Sequence, residues 1–120
     1  MDLNFYGSDV PPPSTQPSGE PTDFIIGHLF EIRPFTYFPN GRVRSILLEN
    51  RSFKQLGYLY HKFHLSIWDD DNDLHTWKLG NQYKISNFKL KLNSKPYIIP
   101  GFYPHYIIIT NQTSVVEIDN

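Results

Sequence analysis

The sequence predicts an all-β fold, and two observations lead to that prediction. From Asp23 onward the chain is rich in Ile, Val, Phe, Tyr, Trp and Thr, which favour strands, and the whole sequence contains no Ala. The apolar segments are short and are separated by turn residues, as in small sheet proteins. Aromatic residues make up 16% of the 120 residues and charged residues 19%, so one hydrophobic core can be filled. We therefore expect a single folded domain over residues 25–120.

The first 24 residues differ from the rest in composition. Residues 8–22 hold five of the ten prolines together with Ser, Thr and Gly, and they contain no aromatic side chain. This composition predicts a disordered tail, which serves as a spacer or, through Pro11-Pro12-Pro13, as a polyproline ligand for another protein. Residues 1–24 carry a net charge of −4, whereas residues 25–120 carry +3. The near-neutral total therefore hides a mildly basic domain.

The opening segment predicts a soluble intracellular protein. MDLNFYGSDV has neither the basic start nor the apolar run of a secretory signal. The apolar runs elsewhere are far shorter than the roughly 20 residues that a membrane span requires.

The strongest turn signal in the chain is Asn40-Gly41, which follows Pro39. An Asn-Gly pair between apolar segments is typical of a tight β-hairpin. It predicts that residues 25–38 form a first strand and pair with residues 42–49 as the second.

A third strand is predicted over Lys62–Trp68, where apolar and other side chains alternate. Phe63, Leu65 and Ile67 form one set, which we expect to face the core. His64, Ser66 and Trp68 belong to the opposite face. Residues 69–79 begin with acidic residues, end near Lys78 and precede Gly80, which predicts a short helix with capped ends.

Two more strands are predicted over residues 83–92 and 106–117. In the first of these the alternation changes parity, because Tyr83 and Ile85 share one phase and Phe88 and Leu90 share the other. A bulge or sharp bend near Asn87 is therefore expected.

Five strands with one short helix between strands 3 and 4 match a five-stranded OB-fold barrel, although a sandwich or another small barrel shares the strand count. The OB-fold is a partly open Greek-key barrel that binds oligonucleotides or oligosaccharides. Residues 52–61, between the second and third strands, receive no assignment.

The segment from Phe63 to Val115 resembles the single-strand-binding OB domains of the replication protein A large subunit and related plant proteins. The resemblance is carried, in order, by FHLSIW, DDDNDLHTWKL, GNQYKISNFKLKLNSKPYIIP and YIIITNQTSV. It implies a nuclear protein of DNA replication, repair or recombination that works with other replication protein A-type subunits. It also implies that two aromatic side chains stack on bases, one at the end of the third strand and one in the loop after the fourth. These positions are Trp68 and Tyr97.

The residues themselves allow both a functional and a plainer interpretation at each candidate position. Trp68 lies on the non-core face, where it stacks on a base or packs on the following helix, and Tyr97 stacks on a base or anchors its loop. Lysines and one arginine either follow a phosphate backbone or are simply solvated, and the one candidate histidine either bonds a base or has no role. The candidate nucleic-acid-binding residues are Trp68, Tyr97, Lys89, Lys91, Lys95, Arg44 and His64.

The sequence favours a binding protein over an enzyme. It has no Cys, no nucleotide-binding glycine motif and no recognisable Ser, His and acid grouping, so no cofactor, metal or catalytic site is expected. Single-stranded DNA is the expected ligand, with RNA as the second candidate. The alternative from another class is an OB-type protein-interaction module, or a degenerate fragment, that does not bind strands.

Overall fold

The structure, a computed structural model, describes residues 18–21, 23–68, 77–92 and 99–118. Most of these residues are in strands, which form one curled, barrel-like sheet, so the all-β prediction is confirmed. The elements are β1 Phe24–Ile32, β2 Thr36–Phe38, β3 Gly41–Glu49, α1 Arg51–Gln55, β4 Lys62–Trp68, β5 Gln82–Ser86, β6 Lys89–Leu92, β7 Phe102–Ile109 and β8 Ser114–Ile118.

The predicted hairpin forms, but its first arm is two strands. β3 pairs antiparallel with β1 over Ile46–Glu49 and with β2 at the turn, where Phe38 faces Gly41. Pro34 lies between β1 and β2 and has no N–H to donate to a ladder, which accounts for the interruption. Gly41 has a φ of 149°, a backbone conformation that is unfavourable for a residue with a side chain.

The sheet is curled because one bent segment joins its two ends. The strand order is β6-β7-β4-β3-β1-β5-β8, so β5 and β6 lie near opposite ends although they are adjacent in sequence. Asn87 separates them with a φ of 57°, and its side-chain amide donates to the carbonyl of Gln112 at 2.9 Å. The predicted break near Asn87 is confirmed. Thr113 Oγ1 fixes the same bend by donating to the Asn87 carbonyl at 3.1 Å.

The core lies on the inner side of the curled sheet. On β4 the alternation is as predicted, with Phe63, Leu65 and Ile67 at most 5% exposed. Trp77 closes part of the core and packs on Tyr83, with ring centroids 5.1 Å apart. The remaining large members of the core come from β1, β3, β5 and β7: Ile25, Leu29, Ile46, Leu48, Ile85, Tyr103, Ile107 and Ile109.

The number of strands and the position of the described helix differ from the prediction. Eight strands replace five, because Pro34, Asn87 and the turn after Thr110 each divide a predicted strand. The helix α1 lies before β4 and overlaps the unassigned stretch. The Asn50 side chain caps the helix by accepting from the Phe53 N–H at 3.0 Å. The helix predicted over 69–79 falls mainly on residues 69–76, outside the described residues, and positions 77–79 are not helical.

The predicted tail includes one short segment that contacts the domain. The Ser18 carbonyl accepts from the Tyr60 N–H at 2.8 Å. Gly19 packs so closely that a Cβ there would lie 2.0 Å from the Tyr60 carbonyl oxygen. Residues 1–17 and 22 lie outside the described residues. Within the described part of the chain, no helix has the length and apolar character needed to cross a membrane.

Candidate nucleic-acid interface

The face of β3, β4, β7 and β6 that points away from the core carries most of the predicted site residues that the structure describes. We call it the outer face. Residues opposite one another in neighbouring strands point to the same side of a sheet, so the strand register defines two rows across it. The rows are Ser45, Ser66, Ile108 and Lys89, and Leu47, His64, Tyr106 and Lys91. Each row therefore ends in a lysine on β6.

Trp68 ends β4 on the outer face and is 45% exposed. Its neighbour across the ladder is Val43. The Phe38 ring, from β2, lies beside it with centroids 5.6 Å apart and the ring planes inclined by 33°. Phe38 is itself 47% exposed, so both rings keep nearly half of their surface in water despite their contact. The pair forms an aromatic platform at the hairpin end of the outer face.

His64 lies in the middle of the outer face and is half-buried. Its Nε2 is hydrogen-bonded to Ser45 Oγ at 2.6 Å, and its ring centroid lies 4.5 Å from that of Tyr106. Burial lowers the pKa of His64 to about 4, with a further lowering by Arg33 and an opposing effect of Glu31. The imidazole is therefore neutral at pH 7. It offers the outer face a ring and a hydrogen-bonding group, not a positive charge.

The two described candidate lysines lie on β6 and are exposed. Lys89 is opposite Ile108 and Lys91 is opposite Tyr106, so the two ammonium groups are on the same side of the strand. Lys84 occupies a different part of the sheet, on β5, where its Nζ lies 4.6 Å from the centre of the Phe24 ring. The two β6 lysines thus border the aromatic outer face, whereas Lys84 does not.

Arg44 is not brought to the outer face. It is opposite Ile67, a core residue, so it points to the other side of β3 from Ser45. Its guanidinium lies 5.0 Å from the Phe35 ring, and that of Arg42 lies 4.0 Å from the same ring. The other two candidates, Tyr97 and Lys95, lie outside the described residues.

Sequence reasoning did not identify the aromatic side chains of Phe38 and Tyr106 as part of the outer face. Phe38 reaches Trp68 because β2 folds back along β3, and the Asn40-Gly41 turn is the only local signal of this contact. Tyr106 reaches His64 through the parallel pairing of β4 with β7. A pairing between strands so distant in sequence leaves no local pattern that could identify it.

The chemistry of the outer face suits contact with flat rings and anions. Aromatic and apolar side chains occupy its middle and one end, neutral hydrogen-bonding groups lie between them, and lysines line one border. Across the described ranges no three His, Asp or Glu side chains lie together as metal ligands would. Comparison of the chain with models of known protein families and with curated proteins gives no match.

Proposed function

We propose that this chain binds single-stranded DNA through its outer face, without catalysis and with little dependence on sequence. Bases stack on Trp68 and on Tyr97, and Lys89, Lys91 and Lys95 neutralise phosphates. Single-stranded RNA is the second ligand class, because stacking and phosphate contact do not require a deoxyribose.

The observation that carries the proposal is the exposure of Trp68 on a face that also carries ordered aromatic and polar groups. A solvent-exposed indole on a sheet face offers a base an apolar plane, and stacking of this kind contributes roughly 1–3 kcal/mol per base in single-strand binders. Each cross-strand row of the outer face ends in a lysine on β6. A single-stranded nucleic acid whose bases stack on the aromatic side chains therefore has its phosphates near ammonium groups. The neutral His64 and the serines Ser45 and Ser66 add hydrogen-bonding groups that are not specific for one type of base.

The strand pairing supports an OB-type barrel as the framework. When β5 and β6 are counted as one strand bent at Asn87, that strand pairs with β1 at one end and with β7 at the other. With β3 and β4 between β1 and β7, five strands then close on themselves, as in a partly open Greek-key barrel. β3 and β4 correspond to its second and third strands, whose exposed face is the ligand-binding face of OB-folds.

The biological setting follows from the resemblance to replication protein A. We propose a nuclear role in DNA replication, repair or recombination, alongside other subunits of that type. One domain with two or three lysines at its border binds a strand modestly. Linked OB domains increase the affinity, because the second engagement is then intramolecular.

Titration with oligo-dT at low salt tests the proposal. Tryptophan fluorescence is expected to fall as Trp68 stacks on a base, while the buried Trp77 gives a constant background. Trp68→Ala is expected to weaken binding about 5- to 150-fold, which corresponds to the loss of one stacking contact. Trp68→Phe is the matched control, since it keeps an aromatic plane and is expected to keep most of the affinity.

The opposite result identifies the rival function. If oligo-dT and oligo-U leave the fluorescence unchanged at low salt, the outer face does not bind strands. The chain is then better described as a protein-interaction module.

A further inference from the structure

The short strand β2 carries two aromatic rings although it is exposed. All three residues of β2 are exposed, and the two rings are 71% (Tyr37) and 47% (Phe38) accessible to water. Exposed apolar rings cost free energy in isolation, so their clustering points to a surface that meets another molecule. The register separates the two rings. Thr36 faces Val43 while Tyr37 faces Arg42, so Phe38 points toward Trp68 and Tyr37 points to the other side.

The Phe38 and Trp68 rings approach each other without stacking well. Their centroids are 5.6 Å apart and their planes are inclined by 33°, so they form a wedge and not a parallel stack. A base between two parallel rings needs a separation of about 7 Å, since each stacking contact takes about 3.5 Å. The Phe38 ring must therefore move away from Trp68 and turn parallel to it before one base can enter between them.

The attachment of β2 allows such a movement. Within the described residues β2 pairs with β3 alone, through three residue pairs that include the turn. A short strand held at one side is among the parts of a protein that open at low cost. Trp68, in contrast, ends a strand whose alternate residues Phe63, Leu65 and Ile67 are anchored in the core.

We infer that Phe38 closes over the base that stacks on Trp68, so that the hairpin and β4 together form an aromatic clamp for a single unpaired base. This inference rests on the proposed function and names the kind of base that the site prefers. Both faces of the base must be free, which a base in a duplex or a well-stacked strand does not offer. The clamp therefore favours weakly stacked pyrimidines such as thymine over strongly stacked adenines.

The test measures the affinities of the full chain for oligo-dT and oligo-dA of equal length at one low salt concentration. The wild type is expected to prefer oligo-dT. Phe38→Ala is expected to weaken oligo-dT binding about fivefold or more, as for a lost stacking contact, and to lower the ratio of the dT affinity to the dA affinity. Tyr37→Ala, which removes a neighbouring ring on the other side of the hairpin, is expected to change neither quantity.

A second variant separates clamping from packing. Phe38→Leu keeps an apolar group against Trp68 but presents no aromatic plane, so it is expected to behave like Phe38→Ala. If Phe38→Leu binds both oligonucleotides as the wild type does, or if Phe38→Ala weakens both equally, the clamp is excluded. Thermal unfolding of each variant checks that the fold is retained.

The outcomes also separate the clamp from the proposed function. If Trp68→Ala loses binding while Phe38→Ala does not, strand binding stands and the clamp is wrong. If the wild type binds neither oligonucleotide, the proposed function fails, and the clamp fails with it.

Discussion

The two faces of β4 have the same backbone and the same neighbouring strands, but they differ in every other respect. On the inner face Phe63, Leu65 and Ile67 are at most 5% exposed and belong to the hydrophobic core. On the outer face, His64 is half-buried with a hydrogen bond, and Trp68 is 45% exposed. The inner face needs apolar volume for stability. The outer face keeps a large ring in water at the end of a rigid strand, which stability alone does not require.

The largest expected effect is the difference in unfolding free energy between a substitution on the inner face of β4 and one on its outer face. Leu65→Ala leaves a cavity at a fully buried position and is expected to cost about 2–5 kcal/mol of unfolding free energy. Trp68→Ala removes a half-exposed ring and is expected to cost much less, although it weakens strand binding. Urea unfolding of both variants measures the difference. Equal losses would show that Trp68 is a core residue in practice, which would contradict its role as a binding surface.

A second prediction compares the lysines of β6 with a lysine elsewhere in the sheet by the salt dependence of binding. Replacing Lys89 and Lys91 together by Ala is expected to make the dependence of log affinity on log salt concentration shallower by about 1.4. This value assumes one phosphate contact for each lysine, and each contact contributes about 0.7 for single strands.

Lys84→Ala is the matched control, because Lys84 lies near Phe24 and away from the outer face. Its salt dependence is expected to equal that of the wild type. An equal change per removed lysine in the two variants would mean that the chain attracts strands by its overall charge and not through β6.

The smallest expected effect concerns pH and His64. In the unfolded chain this imidazole titrates near 6.5, whereas burial lowers its pKa in the folded protein to about 4. Between these values the unfolded state binds more protons, so stability is lost as pH falls from above 6.5 toward 4. His64→Gln removes this proton uptake, and its urea midpoint is expected to fall less over that range. Parallel declines in the two proteins would show that His64 is as accessible to protons folded as unfolded.

Local pattern was sufficient wherever one element alone decided the outcome. The alternation over Lys62–Trp68 predicted both the bounds of β4 and which of its residues are buried. The change of parity predicted the break at Asn87, and Asn40-Gly41 predicted the hairpin. Local pattern did not predict α1, because a five-residue helix is too short to show helical periodicity.

The candidate site was predictable only in part. Trp68, Lys89 and Lys91 were found because each lies in a strand whose alternation separates two faces. Arg44 was a candidate for phosphate contact, but its pairing with Ile67 turns it to the other side of β3. Phe38 and Tyr106 were not found, since they reach the outer face through strands that are paired by the fold and not by proximity in sequence.

The sequence by itself determined that this protein is a small β domain, where its main strands run and which side chains of each strand share a face. These properties depend on a period of two residues and on turn residues, which act over a few positions. Only the tertiary structure decided that β7 lies parallel to β4, that His64 is held neutral beside Tyr106, and that Phe38 meets Trp68. Those contacts follow from the register between distant strands, and the register is set by the packing of the whole core.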